Sequence, residues 1–308
     1  MTRVWRVWVE WISHREAATT LALVRIALGL CTFATLVGVL PVIDLVWAAS
    51  KNGGYRSMET PRIFAALGGT SPANVHGVTY AAIAASMAVI AGVGGRWPIL
   101  LLQQLVYALF SLNIQSGGAH DRLLVNVLWI CFLSQSTQTL SMDAKRRTGR
   151  WTDSTPVAAW PRYLLILQLV VMYGSSGLQK VSPEWWPIGR WSAVYYSLRT
   201  PPLARWDYPW LRELFPLTQV ATAATMAFEI GAPLLLLWFL VRKLRPQGAP
   251  RWVRSLFVVV GVSMHLSLWF LMELGPFSPI TLSLYLALFH PDEWHRRVRS
   301  ALPTAGIA

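Results

Sequence analysis

Lys180 is the residue most clearly placed for chemistry. It closes the run Tyr173-Gly174-Ser175-Ser176-Gly177-Leu178-Gln179-Lys180, and Pro183-Glu184-Trp185-Trp186 follows. An amine pressed against an apolar wall loses solvation, which favours its neutral form and lets it act as a base. Glu229 stands midway along a second apolar stretch, and His265 about two turns before the end of a third. Arg25 lies one to two turns into the first stretch, and Gly117-Gly118-Ala119-His120-Asp121-Arg122 opens another. Ionisable groups are expensive within a lipid bilayer, so each is a functional candidate. Each also has a plain structural role. Arg25 can snorkel to the surface or pair with a buried carboxylate. Glu229 can tie two helices, and His265 can be a satisfied core histidine. His120-Asp121-Arg122 can be a polar helix start, with Asp121 favoured by the helix dipole. Lys180 can be an interfacial anchor, and Trp185-Trp186 part of an aromatic belt.

Other chemistries lack their motifs. His290 and His295 are five apart without a Cys or a third ligand, and His14 and His76 are isolated, so no metal is expected. There is no Gly-rich phosphate loop, no nucleophile elbow and no Ser/His/Asp signature. ATP-driven work is therefore not expected, and acid–base chemistry at a membrane-embedded site remains.

The elements that must hold these residues follow from composition. Hydrophobic residues make up 54% of the 308 and charged residues 13%, against about 25% charged in soluble domains. Seventeen tryptophans fit membrane–water interfaces. Cys31 and Cys131 fall in apolar runs and read as packing residues, not a disulfide framework. A helix needs about 20 apolar residues to span a bilayer. Candidate spans lie near 18–40, 76–94, 97–116, 122–141, 162–178, 217–241, 254–272 and 277–290. Gly94-Gly95-Arg96-Trp97-Pro98 marks a tight turn, and Pro161, Pro216 and Pro276 mark helix starts. Residues 4–14, with tryptophans between Arg3, Arg6 and Arg15, read as an interfacial amphipathic helix. The expected fold is all-α: one polytopic membrane helix bundle over 1–308, with about eight transmembrane helices.

The net charge of +13 would suggest nucleic acid on a soluble chain. Here it follows topology. With the N-terminus in the cytoplasm, seventeen basic residues fall inside: Arg3, Arg6, Arg15; Arg96; Lys145, Arg146, Arg147, Arg150, Arg162; Arg242, Lys243, Arg245, Arg251, Arg254; and Arg296, Arg297, Arg299. Nine fall outside: Lys51, Arg56, Arg62; Arg122; and Lys180, Arg190, Arg199, Arg205, Arg212. That bias predicts a multi-pass protein of the cell inner membrane with both termini cytoplasmic. Anionic lipid is the expected partner of the basic face, and nucleic acid is not. Under this topology the ionisable residues of the bundle gather in its outer half.

These motifs, in order, carry a family resemblance. They are Arg25 with Gly29; Gly117 to Arg122; Ser141-Met142-Asp143-Ala144; Tyr173 to Lys180 followed by Trp185 and Gly189; Phe228-Glu229 with Pro233; and His265 followed by Gly275-Pro276-Phe277. From about residue 17 to 294 the chain resembles the HTTM family, the transmembrane domain shared with vitamin K-dependent gamma-carboxylases. In those carboxylases the matching lysine deprotonates vitamin K hydroquinone. Oxygen then turns the hydroquinone into a strong base that removes a γ-proton from peptide glutamate, and CO2 adds. The resemblance puts the base on Lys180 and an orienting or proton-relay role on His120 and His265. Arg122, Tyr173, Trp185 and Glu229 would surround the cofactor, reduced vitamin K or menaquinol. Gln179 stands where the carboxylase often has a second Lys, which lowers the local positive charge. The large lumenal C-terminal domain of the carboxylases is expected to be absent. The short form is similar to bacterial stand-alone HTTM proteins of the sporulation-delaying protein B type, associated with maturation of a secreted toxin peptide.

Three functions stay open. The first is a carboxylase- or epoxidase-like enzyme, a lyase or quinol-linked oxidase, acting on an exported peptide or a small substrate. The second is a non-enzymatic accessory protein that shelters or delivers a secreted peptide, with a separate soluble partner chain. The third, ranked last, is a proton-coupled transporter using Glu229 and His265; neither an inverted repeat nor a matched pair of broken spans supports it.

Overall fold

The computed structural model describes residues 3–48, 60–113, 116–244, 250 and 252–294. Lys51, Arg56, Arg245, Arg251, His295, Arg296, Arg297 and Arg299 lie outside them. The chain forms two compact units, Met1–Leu165 with Leu286–Ala308, and Ile166–Tyr285.

The first unit opens with α1 (Arg3–Ser13), whose Trp5, Trp8, Val9 and Ile12 are exposed, as an interfacial helix requires. Then come α2 (Thr19–Val39), the short α3 (Ile43–Val46) and α4 (Arg62–Ala66), α5 (Pro72–Ala91), α6 (Trp97–Phe110), α7 (Ala119–Leu133) and α8 (Met142–Thr148). Local chemistry sets the ends. Ser71 caps α5, its hydroxyl accepting from the Asn74 N–H at 3.3 Å ahead of Pro72 at the first helical position. Gly92, with φ of 66°, stops the same helix. Ser141 caps α8, accepting from the Ala144 N–H at 2.9 Å. α2, α5, α6 and α7 pack as successive neighbours. Arg25 is 1% exposed and, among the described residues, forms no ion pair with a carboxylate. It donates instead to the carbonyls of Ser136 (3.1 Å) and Leu140 (2.6 Å), satisfying the turns after α7.

α9 (Trp160–Gln179) leads from the first unit into the second. Leu165, Ile166, Leu169, Val170 and Tyr173 are buried along one helical face, while Leu164, Leu167 and Val171 are exposed. The second unit continues with α10 (Ala193–Arg199), α11 (Phe215–Gly231), α12 (Pro233–Leu244), α13 (Trp252–Leu271) and α14 (Phe277–Tyr285). Helices do start at the expected prolines 161, 216 and 276 or beside them.

Two expectations change. The fold is not purely helical: β1 (Arg15–Ala17) pairs antiparallel with β2 (Pro156–Ala158), Glu16 opposite Val157. Three-residue strands are too short for periodicity to reveal. Nor do eight helices qualify as spans by length and composition. Among the described residues three do, Thr19–Val46, Pro72–Ala91 and Trp252–Leu271, or four if α11 and α12, bent by 46°, count as one broken span. α6 and α7 have only 14 and 15 residues, about 21–23 Å of helix against about 30 Å of hydrocarbon. The expected fourth span stops at Leu133, and 134–141 turns back beneath Arg25. What holds is a mostly helical protein with helices apolar enough for a membrane.

At one end of the first unit three chain segments meet. Glu16 on β1 accepts both fork hydrogen bonds of Arg162, at 2.7 and 2.8 Å, and both side chains are buried. Arg162 also donates to the Ala287 carbonyl at 3.3 Å. Thr20 donates to the Phe289 carbonyl at 3.0 Å and accepts from the Trp294 indole at 3.1 Å.

Candidate functional site

The site lies in the second unit, where α9 meets α11. Gly177 permits the approach: a Cβ there would stand 3.1 Å from the Glu229 Cβ and from the Ile230 backbone nitrogen. Small residues allow such close helix contact where lipid supplies no hydrophobic drive. Tyr173, Ser176, Gly177 and Lys180 recur at helical spacing along one face of α9 and just past its end.

Lys180 is held at three points. Its Nζ donates to Ser176 Oγ one turn back at 2.6 Å. It forms an ion pair with Glu229 of α11. It stands 4.8 Å above the Trp185 ring, a cation–π contact. The neighbouring Trp186 indole donates to the Lys180 carbonyl at 2.9 Å. Glu229 is 6% exposed. The expectation of an amine against an apolar wall is thus replaced by an amine in contact with a carboxylate. Apolar surface flanks the amine along the chain: Leu178, Val181 and Ile188 are 76%, 80% and 85% exposed. Apolar groups that bare suit hydrocarbon, not water.

A second polar group is enclosed in the same unit. The Tyr173 hydroxyl is 2.6 Å from His265 Nε2 and 2.7 Å from the Tyr285 hydroxyl. His265 Nδ1 lies 3.4 Å from Ser278 Oγ. Phe228 and Phe257 meet the Tyr173 ring edge-on at 5.0 and 6.0 Å, and Phe277 packs 5.4 Å from His265. This chain links α9, α13 and α14, and α11 contributes Phe228 beside Glu229.

Of the residues singled out in the sequence, Lys180, Glu229 and Trp185 come together, and Tyr173 and His265 are hydrogen-bonded. His120 and Arg122 stand in the first unit. There His120 Nε2 is 3.1 Å from Asp121 Oδ1, and Asp121 accepts from the Gly118 N–H at 3.0 Å; Arg122 is exposed. That arrangement is a polar helix start. The sequence reading missed Ser176, Tyr285 and Ser278 as partners. Ser176 had a signal, standing four residues before Lys180; a lone Tyr in α14 had none.

The second unit also carries an open cleft of about 720 Å³ lined by Tyr195, Arg199, Trp206, Asp207, Tyr208 and Arg212 among others. Under it pack Leu198, Leu211 and Met272.

Comparison with curated proteins and with solved structures gave no match. The HTTM domain family matches residues 14–294, nearly the whole chain. Together with its long apolar helices, that match makes this a membrane protein, and the chain belongs to the HTTM domain family.

Proposed function

We propose that this chain is a multi-pass inner-membrane enzyme in which Lys180 and Glu229 together take the proton of a hydroquinone. The observation that carries the proposal is the Lys180 amine, held between Glu229, Ser176 and the Trp185 ring beside exposed Leu178, Val181 and Ile188. A cation, an aromatic face and a lipid-facing apolar flank suit an aromatic ring that bears an ionisable hydroxyl and a long apolar tail. Reduced vitamin K or menaquinol bound there would supply that hydroxyl and the electrons, with oxygen as the oxidant. Starting from the ion pair, the Lys180 ammonium would pass one proton to the Glu229 carboxylate, and Nζ would take the hydroquinone proton in its place. The ammonium would then face the negative oxygen left behind. Tyr173 and His265 position the α9 face that carries Lys180.

About eight crossings and cytoplasmic termini belong to the same proposal. Residues 16, 157 and 287 meet at one end of the first unit. Segments at one level must be joined by an even number of crossings. Four helices, α2, α5, α6 and α7, lie between the first two. A four-plus-four arrangement satisfies the rule, with the two short helices crossing where the bilayer thins around them.

The test is quinone turnover. Purified protein receives reduced vitamin K or menaquinol, oxygen and bicarbonate, and mass spectrometry reads quinone epoxide. Epoxide from the wild type and none from Lys180→Ala is expected. Equal epoxide from both would sink the proposal.

The arginine-and-aromatic cleft favours one second reading, an accessory protein that captures an exported peptide. It expects partner capture to survive Lys180→Ala and to be lost in Arg199→Glu with Arg212→Glu.

A further inference from the structure

His14 was read as isolated, yet folding surrounds it with ligand-type groups. A ring nitrogen of His14, a carboxylate oxygen of Glu16 and a ring nitrogen of His290 all lie within 4.8 Å of one another. His14 immediately precedes β1 and Glu16 lies within it, so the two, at i and i+2, share one face of extended backbone. His290 arrives from the far end of the chain, more than 270 residues away in sequence.

Each donor is fixed from behind. The His14 carbonyl accepts from the Ala159 N–H at 2.9 Å. Glu16 is oriented by the Arg162 fork. That fork uses two of about four acceptor positions on a carboxylate and leaves the others open. The His290 segment is pinned by Thr20, which bonds both Phe289 and Trp294. His290 turns its Nε2 towards Glu16 Oε2 at 3.7 Å, and its Nδ1 accepts from the Asp292 backbone N–H at 3.3 Å, which fixes the ring. A ligating carboxylate is itself characteristically held by hydrogen bonds. Arg162 supplies that hold for Glu16.

We propose that His14, Glu16 and His290 form a binding site for a divalent first-row transition ion such as Zn2+. Two imidazoles and one carboxylate make a familiar three-ligand set with open positions for water. Glu16 is buried, His14 is exposed and His290 is partly exposed, so the open side faces solvent. The ion would staple the segment before α2 to the segment after α14. The proposal is independent of quinone chemistry in the second unit.

The test uses the full chain in detergent, purified with a histidine-free tag and stripped with a chelator. Zn2+ is titrated against a competing indicator. One tightly bound ion per chain is expected, with affinity reduced about 10-fold or more in His14→Ala and in His290→Ala. Zn2+ should raise the melting temperature of the wild type and not of the double variant His14→Ala with His290→Ala. His120→Ala and His265→Ala serve as controls and should bind as the wild type does. Stoichiometric binding that survives in the double variant, or none in a wild-type protein that remains folded, overturns the proposal. Glu16→Gln is avoided because it also breaks the Arg162 fork.

Discussion

Among the described residues each unit holds one enclosed cation–carboxylate pair, Glu16–Arg162 in the first and Lys180–Glu229 in the second, and the two are built differently. In the first unit Arg162 grips both oxygens of Glu16 with two parallel hydrogen bonds, and the two side chains are 7% and 1% exposed. In the second unit Lys180 meets Glu229 at a single point, shares its remaining protons with Ser176 and faces the Trp185 ring, with 16% exposure. A guanidinium fork is rigid and does not release its proton at useful pH. An ammonium is a rotatable point charge that can. The first pair joins three distant chain segments and has no apolar opening described beside it. The second sits at a helix end flanked by exposed Leu178, Val181 and Ile188. Burial of charge alone does not mark a reactive site; under the proposed function, what sets the second pair apart is a single-point contact with a releasable proton beside an apolar flank.

Exchanging the two cations gives the largest expected contrast. Lys180→Arg preserves a positive partner for Glu229, so membrane insertion and melting temperature should stay close to wild type. Quinol turnover should nevertheless fall by about 10²- to 10⁴-fold, the usual contribution of one acid–base group. Arg162→Lys should do the reverse. It strands one acceptor oxygen of buried Glu16, lowering stability by about 1–3 kcal/mol with turnover per folded molecule unchanged. Melting curves and turnover on the same preparations read both. Full activity in Lys180→Arg would leave the second pair as merely another clamp.

Gly177→Val attacks the geometry of the second pair without touching its charges. The new side chain must enter a gap where even a Cβ stands 3.1 Å from Glu229 and Ile230. Overpacking of this kind costs about 1–3 kcal/mol. α11 should be displaced from α9, separating Glu229 from Lys180, so turnover falls along with stability. Gly177→Ala should show the same effects more weakly. A Gly177→Val protein with normal turnover would show that the pair need not be close.

The comparison also explains what could be read from sequence. The long helices were legible because apolar length, helix-start prolines and the Gly94 to Pro98 turn are local signals. Lys180, Glu229, Tyr173 and His265 were legible as polar residues in or beside apolar stretches. Their pairings were not: Lys180 and Glu229 are 49 positions apart, and Tyr173 and His265 are 92 apart. The first pair was less visible still. In the sequence Arg162 is one of several basic residues marking the cytoplasmic side, and Glu16 belongs to no motif. They are 146 positions apart, and three-residue strands bring them together. His120-Asp121-Arg122 is a different case. Its composition suggested chemistry, while Asp121 bonding the Gly118 N–H is ordinary helix-end satisfaction.

The smallest expected effect distinguishes a relay from a brace in the second unit. Tyr285→Phe removes one hydrogen bond from the Tyr173 hydroxyl and leaves the 2.6 Å contact with His265 intact. It should cost about 1 kcal/mol of stability, the net value of one such bond, and change turnover by less than about twofold. Tyr173→Phe is more severe, because it deprives both His265 and Tyr285 of their shared partner. Buried groups left unsatisfied cost about 1–3 kcal/mol, and turnover should fall as α9 loses its tie to α13 and α14. If the hydroxyl chain only braces α9, the two losses of turnover should track the two losses of stability. If it carries protons, Tyr285→Phe should cut turnover far more than its small stability cost allows. Measuring both variants and their double, with the coupling taken from the cycle, decides between a brace like Glu16–Arg162 and an extension of the Lys180–Glu229 site.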